Sequence, residues 1–237
     1  MSVETDYKGL LDTSFDPTFA SLELPSLPWV GSRYASSQKK TIVLGESVYA
    51  FGKNDAHAAS LAYVASSDAL RRMHLNRALA LNSKKVGRAT YVRNFERAVY
   101  LKSKTSPAER QRLWSELAFF NLVHRPMKTR KHRPDDADYL HGWASFFTVA
   151  AALGAERCVV YGTEWPKIDA LRDLCGAENV TRRKYDPIAG VQPSELTATH
   201  EGRSMAFLFI RHPSAFFPWS DWGAWMRSKN WHLAPAA

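Results

Sequence analysis

Four short apolar runs punctuate the chain: TIVLG (41–45), LAFFNLV (117–123), RCVVYG (157–162) and MAFLFI (205–210). Each is short, rich in β-branched or aromatic residues, and bounded by polar or turn-forming residues. That is the pattern of strands buried on both faces, as in a parallel sheet. The intervening segments read mostly as helices. Residues 54–82 are rich in Ala and Leu, whereas residues 84–104 give no clear period. SPAE (106–109) is a capping box, with Ser106 as N-cap, Pro107 in the first turn and Glu109 reaching back. Asp135 or Asp136 caps the apolar helix ADYLHGWASFFTVAAALG, which ends at Gly154. A further helix, EWPKIDALRDLCG, ends at Gly176, and NVTRRKYD reads as a short strand. Trp219, Trp222 and Trp225 stand three apart on one helix face, a spacing that favours core packing over base stacking. Residues 1–38, with two prolines and a glycine in LPSLPWVGSRY, read as an extended lead-in with room for one short helix.

Strands alternating with helices imply a sheet covered on both faces. The expectation is a single domain over 1–237: a three-layer α/β/α sandwich around a central, mainly parallel four-stranded sheet. Ligands of such sheets bind beyond the carboxyl ends of the strands. Those ends carry GESVY, NLVHRP, GTEW and RHPS, which gathers polar and titratable residues where a site belongs.

Charge narrows the partner. The chain of 237 residues has 32 Lys and Arg against 23 Asp and Glu, a formal charge of +9. A balance this basic favours an anionic partner, and nucleic acid is the commonest. Within the loop 124–133, bracketed by Pro126 and Pro134, stand Arg125, Lys128, Arg130, Lys131 and Arg133. The loop follows Asn121 directly, so DNA contact is expected of these five. Only Cys158 and Cys175 are present, too few for a four-cysteine zinc or iron–sulfur centre. No metal or cofactor is expected. Two free thiols, no apolar signal region and no run of about 18 apolar residues suggest a soluble, cytoplasmic, DNA-associated protein without a membrane partner.

The segment GESVYAFGK (45–53) admits three chemistries. As a phosphate loop it fails: the glycine–lysine spacing is two too long and Asn54 stands where a hydroxyl residue belongs. As a serine nucleophile, Ser47 in LGES resembles the Gly-Asp-Ser block of SGNH esterases. Such a serine needs a histidine oriented by an acid, and Phe209 occupies the position three before His212 where that acid would be.

The third chemistry rests on more of the chain. GESVY, FFNLV, VVYG and HPS, in that order over roughly residues 27–225, resemble the motif set of the uracil-DNA glycosylase superfamily. That resemblance implies excision of a flipped-out base by hydrolysis of its N-glycosidic bond, leaving an abasic site. It implies that Gly45, Glu46, Ser47, Val48 and Tyr49 form the first active-site loop, with Tyr49 walling the base pocket. Asn121 would read the pairing edge of the base, and His212 would donate to the base oxygen as charge develops. Ser214 and nearby amides would hold phosphate, and Phe216 or Phe217 would wedge the duplex. The family's water-activating Asp is replaced by Ser47, so Glu46 becomes the candidate carboxylate. The small Ser47 suggests a base other than plain uracil: a bulkier modified pyrimidine, with phage-modified DNA and antiviral defence among the implied settings. No motif places a lysine for Schiff-base chemistry. The expectation is a monomeric, monofunctional DNA glycosylase; the alternatives are a catalytically inactive DNA-binding protein of the same fold and a Ser47 esterase.

Overall fold

A computed structural model describes residues 9–22, 24, 26–50, 52–53, 55–66, 68–79, 89–129 and 132–235. The strands are β1 (Trp29–Val30), β2 (Thr41–Gly45), β3 (Ala118–Asn121), β4 (Arg157–Tyr161), β5 (Val180–Lys184), β6 (Ser194–His200) and β7 (Arg203–Ile210). The helices are α1 (Asp16–Ser21), α2 (Asp55–Val64), α3 (Ala69–Leu79), α4 (Thr90–Tyr100), α5 (Pro107–Glu116), α6 (Asp136–Leu153), α7 (Trp165–Cys175) and α8 (Trp219–Ser228).

The protein is α/β; among the described residues, one mixed sheet of seven strands runs in the order β1-β3-β2-β4-β7-β6-β5. The four apolar runs form its centre, where β3, β2, β4 and β7 are mutually parallel. The expected count of four strands is therefore too small. β1 pairs antiparallel with β3, while β6 and β5 extend the other edge antiparallel from β7. β6 was missed because SELTATH is polar on alternate positions rather than uniformly apolar; only Ser194, Leu196 and Ala198 turn inward. A two-residue turn, Glu201-Gly202, joins it to β7 with both φ angles positive. That is the turn geometry that suits a twisted hairpin.

Side-chain alternation divides the core between the two faces. Ile42, Leu44, Cys158, Val160, Phe207 and Phe209 pack against α1, α6 and α7. Val43, Val159, Tyr161, Leu208 and Ile210 pack against α3, α4, α5 and α8. The lead-in is less extended than expected, since it supplies both α1 and β1. The unclassified stretch 84–104 contains α4, whose Val92, Phe95, Ala98 and Val99 are buried. The stretch read as helical over 54–82 supplies two separate helices, α2 (Asp55–Val64) and α3 (Ala69–Leu79).

The expected capping box forms at Ser106 with Glu109, and of the two candidate caps for α6 it is Asp135 that caps, in a second box with Asp138. Trp222 is fully buried, with Trp219 and Trp225 packed beside it as core. Both cysteines are free and buried. Among the described residues, no helix is long and apolar enough to cross a membrane.

The chain leaves β2 toward β3 on one side and returns to β4 on the other. This reversal opens a crevice at the carboxyl ends of β2 and β4, the place where open α/β sheets bind ligands.

Candidate active site

A cavity of about 780 Å³ fills that crevice. Gly45 through Ala50 reach it from β2, Asn121 from β3, Tyr161 and Glu164 from β4, and His212 and Ser214 from β7. Three of the four loops flagged by polar content thus meet there with the end of the fourth strand. On the opposite wall stand Leu70, Met73, His74 and Arg77 of α3, with Thr90 and Tyr91 of α4.

Gly45 and Asn121 are register partners on adjacent parallel strands. Gly45 has no positive φ, so its value lies in its size rather than in a sharp turn. A Cβ there would lie 2.2 Å from Asn121 Oδ1. The missing side chain is what lets the Asn121 carboxamide lie over the strand end. No hydrogen bond among the described residues engages that carboxamide, which leaves both its donor and its acceptor for the cavity.

Glu46 is buried and held from three sides. Tyr139 Oη donates to Glu46 Oε1 at 3.2 Å, Lys167 Nζ lies 3.2 Å from the same oxygen, and Arg133 Nη1 lies 3.7 Å from Oε2. Lys167 is wholly buried and has no surface on the cavity. Its ammonium also donates to the Tyr161 carbonyl at 2.7 Å and to Glu164 Oε2 at 3.1 Å, so it combines two hydrogen bonds with the ion pair to Glu46. Gly162, at φ +94°, makes room for this group: a Cβ there would lie 2.1 Å from Glu164 Oε2 and 2.6 Å from Lys167 Nζ. Burial and then the Glu46 charge hold the Tyr139 phenol well above its ordinary range. Burial pushes the Glu164 carboxyl up, but the Lys167 charge and hydrogen bonding outweigh it and leave it below the usual value.

His212 is held by its neighbour. The Ser214 amide donates to His212 Nδ1 at 3.1 Å, and Ser214 Oγ lies 2.8 Å from the same nitrogen. Nδ1 must therefore accept, and the neutral ring carries its proton on Nε2. Burial first, then Lys167, pull the pKa of His212 down to about 4, so the ring is neutral at pH 7. Tyr161 and Tyr91 meet it edge-on, at 5.6 and 6.4 Å between centroids.

Several expectations need correction. Ser214, expected on phosphate, uses its amide and hydroxyl to orient His212. Phe217 cannot wedge a duplex, because it is buried and stacked on Trp222; Phe216, 73% exposed, is free to do so. Arg125, though 44% exposed, makes a two-pronged pair with Asp138 and also faces Asp135, so its charge is already partnered at the start of α6. Lys128 is exposed, and Arg130 and Lys131 lie outside the described residues. Arg133 reaches the cavity, where its Nη1 donates to Tyr49 Oη at 3.3 Å. Tyr49 lines the cavity. Ser47 Oγ is buried without a hydrogen-bond partner among the described residues, so no histidine activates it.

Sequence reasoning missed Lys167, Tyr139, His74 and Arg77. Lys167 left one faint signal, Glu164 three residues before it at a helix start. Its partnership with Glu46 spans the fold and has no local trace. No protein-family model matches the chain, and no curated protein matches it.

Three imidazoles, His74 fully buried and His124 and His212 half-buried, make stability sensitive to mild acid. Burial lowers His74 to about 3, with Arg77 assisting, and His124 to about 4, with His141 assisting; His212 also sits at about 4. Between the ordinary value of 6.5 and about 4, the unfolded chain binds protons that the folded chain does not. By linkage, stability falls as pH drops through that window and levels off below it. The urea midpoint is expected to fall clearly between pH 7 and pH 5, before carboxylates titrate. A constant midpoint over that interval would refute the burial of these rings in neutral form.

Proposed function

We propose that the protein is a monofunctional DNA glycosylase of the uracil-DNA glycosylase type, acting on a flipped-out, non-standard base. The observation that carries this reading is the meeting of Glu46, Asn121 and a neutral, Nε2-protonated His212 in one cavity. The four motif-bearing strands β2, β3, β4 and β7 lie side by side and parallel, which sets their carboxyl ends along one edge of the sheet. The Arg133 and Arg77 side chains and the exposed Phe216 suit a phosphate-rich duplex that must be opened. A cavity of about 780 Å³ leaves space beyond a bare pyrimidine, in favour of a bulkier base.

The chemistry follows from the charges. Breaking the N-glycosidic bond leaves its electron pair on the base and a cationic sugar. His212 Nε2–H donates to the base oxygen where the negative charge collects, without surrendering its proton. Asn121 pairs with the edge of the base and fixes its orientation. The Glu46 carboxylate faces the cationic sugar and orients the attacking water, whose oxygen bonds to the sugar carbon and whose proton passes to solvent. Lys167 is fully buried behind Glu46, held by two hydrogen bonds and the ion pair, which favours hydrolysis over a Schiff-base route. The esterase reading is weakened by the unpaired Ser47.

A panel of duplexes containing uracil, hypoxanthine or modified pyrimidines, scored for alkali-labile sites, tests the proposal. His212→Ala should lower single-turnover excision by about 10²–10³ with DNA binding retained. Ser47→Ala should leave excision in place. Absence of abasic product across the panel, with binding intact, would instead favour a non-catalytic DNA-binding protein.

A further inference from the structure

The basic charge is not spent at the candidate active site. A second cavity, of about 470 Å³, lies at the other end of the sheet. Lys39 precedes β2, Arg157 begins β4, Arg182 and Arg183 lie on the edge strand β5, and Lys229 follows α8. A strand of five residues spans roughly 16 Å, so the two cavities are separated by the length of the central sheet.

Five cations line this cavity, and among the described residues none of them is in an ion pair. The one carboxylate on the wall, Glu195, is occupied: Trp231 Nε1 donates to Oε1 at 2.8 Å, and Tyr185 Oη donates to Oε2. Arg157 Nε and Nη2 and Arg182 Nε are covered without a hydrogen-bond partner among the described residues. Leaving charged donors unpaired is costly, and an arriving anion relieves that cost. Aromatic rings interleave with the cations. Arg157 lies 4.5 Å from the Trp231 ring centroid, Lys229 4.4 Å from Tyr185, and Arg182 4.3 Å from Trp165, whose ring is half exposed.

We infer that this cavity and the adjoining β5 edge form a second nucleic-acid contact, in which the five cations hold backbone phosphates at the end of the sheet remote from the base pocket. Three of the five are arginines, whose planar forks match phosphate oxygens. Of these rings Trp165, beside Arg182 at the β5 edge, is exposed and offers a face to a base of a strand passing along that edge. The inference stands without the glycosylase reading, since it concerns binding of unmodified nucleic acid.

The test is the salt dependence of binding to an unmodified oligonucleotide, followed by fluorescence anisotropy. In the triple variant Lys39→Gln, Arg183→Gln, Lys229→Gln, the magnitude of the slope of log K against log salt should fall by about 2–3. Affinity near 0.1 M salt should fall about tenfold or more. All three positions have solvent-accessible side chains, and an unchanged urea midpoint verifies that the fold is kept. An unaltered slope and affinity in a folded variant would overturn the inference. So would complete competition by millimolar inorganic phosphate, which would mark a small-anion site, or equal retention of polyglutamate, which would mark a general polyanion surface. A loss of binding together with normal excision at saturating DNA supports it.

Discussion

Gly45→Ala is expected to reduce excision about 100-fold or more while leaving the protein folded. The added Cβ would lie 2.2 Å from Asn121 Oδ1 and 3.1 Å from Phe119 Cζ. At 2.2 Å something must shift, and the freest group is the Asn121 carboxamide, the end of a short side chain with no hydrogen bond among the described residues. Rotating it away costs little stability but displaces the group proposed to hold the base. Misplacement by about 1 Å is enough for roughly 10² in rate. The check is single-turnover excision beside a thermal melt. Asn121→Ala should lose a similar factor, and adding Gly45→Ala to it should lose little more, because the two act through one carboxamide. Full activity in Gly45→Ala would remove Asn121 from the proposed reading of the base.

Lys167→Met should act on stability first. Removing one partner of a buried ion pair costs about 3–5 kcal/mol, because the remaining charge is left without compensation. Lys167 is fully buried, and the Glu46 side chain is 10% exposed. The loss falls chiefly on Glu46, since the Glu164 side chain, 53% exposed, can turn to water. For a chain of this size each kcal/mol is worth about 2–4 °C in Tm, so a fall on the order of 6 °C or more is expected. Adding Glu46→Gln to Lys167→Met should recover part of it, since the stranded charge is then gone. A melt within about 1 °C of the parent protein would mean that water or a rearranged neighbour already compensates Glu46. The same pair of variants separates folding from chemistry: the double variant regains stability but lacks the carboxylate assigned to the water.

Much of the central fold was legible because its signals are local. A run such as TIVLG can be buried on both faces only as an inner strand, and Ser106 and Asp135 can be recognised as caps from three following residues. Gly45, Glu46, Asn121 and His212 stood at the ends of such runs, so topology alone brings them together. The edges were harder to read. β1 is two residues long, and β6 is half polar because one of its faces is less covered. Phe216 and Phe217 are indistinguishable by type, yet packing on Trp222 buries one and leaves the other in water. Arg125 and Arg133 likewise belong to one basic run, but the acids at the start of α6 hold the first and leave the second over the cavity.

Local sequence by itself determined which segments must be inner strands and helices, that the protein is basic, and which polar residues stand at strand ends. Only the tertiary structure decided how those residues are placed and partnered. It laid Asn121 over Gly45, set Ser214 against His212 Nδ1 so that the neutral ring carries its proton on Nε2, and buried Lys167 between Glu46 and Glu164. The physical reason is range. Strand and cap formation depend on a few neighbouring residues, whereas the charge state and orientation of a buried group depend on partners brought near it only when the sheet and helices pack.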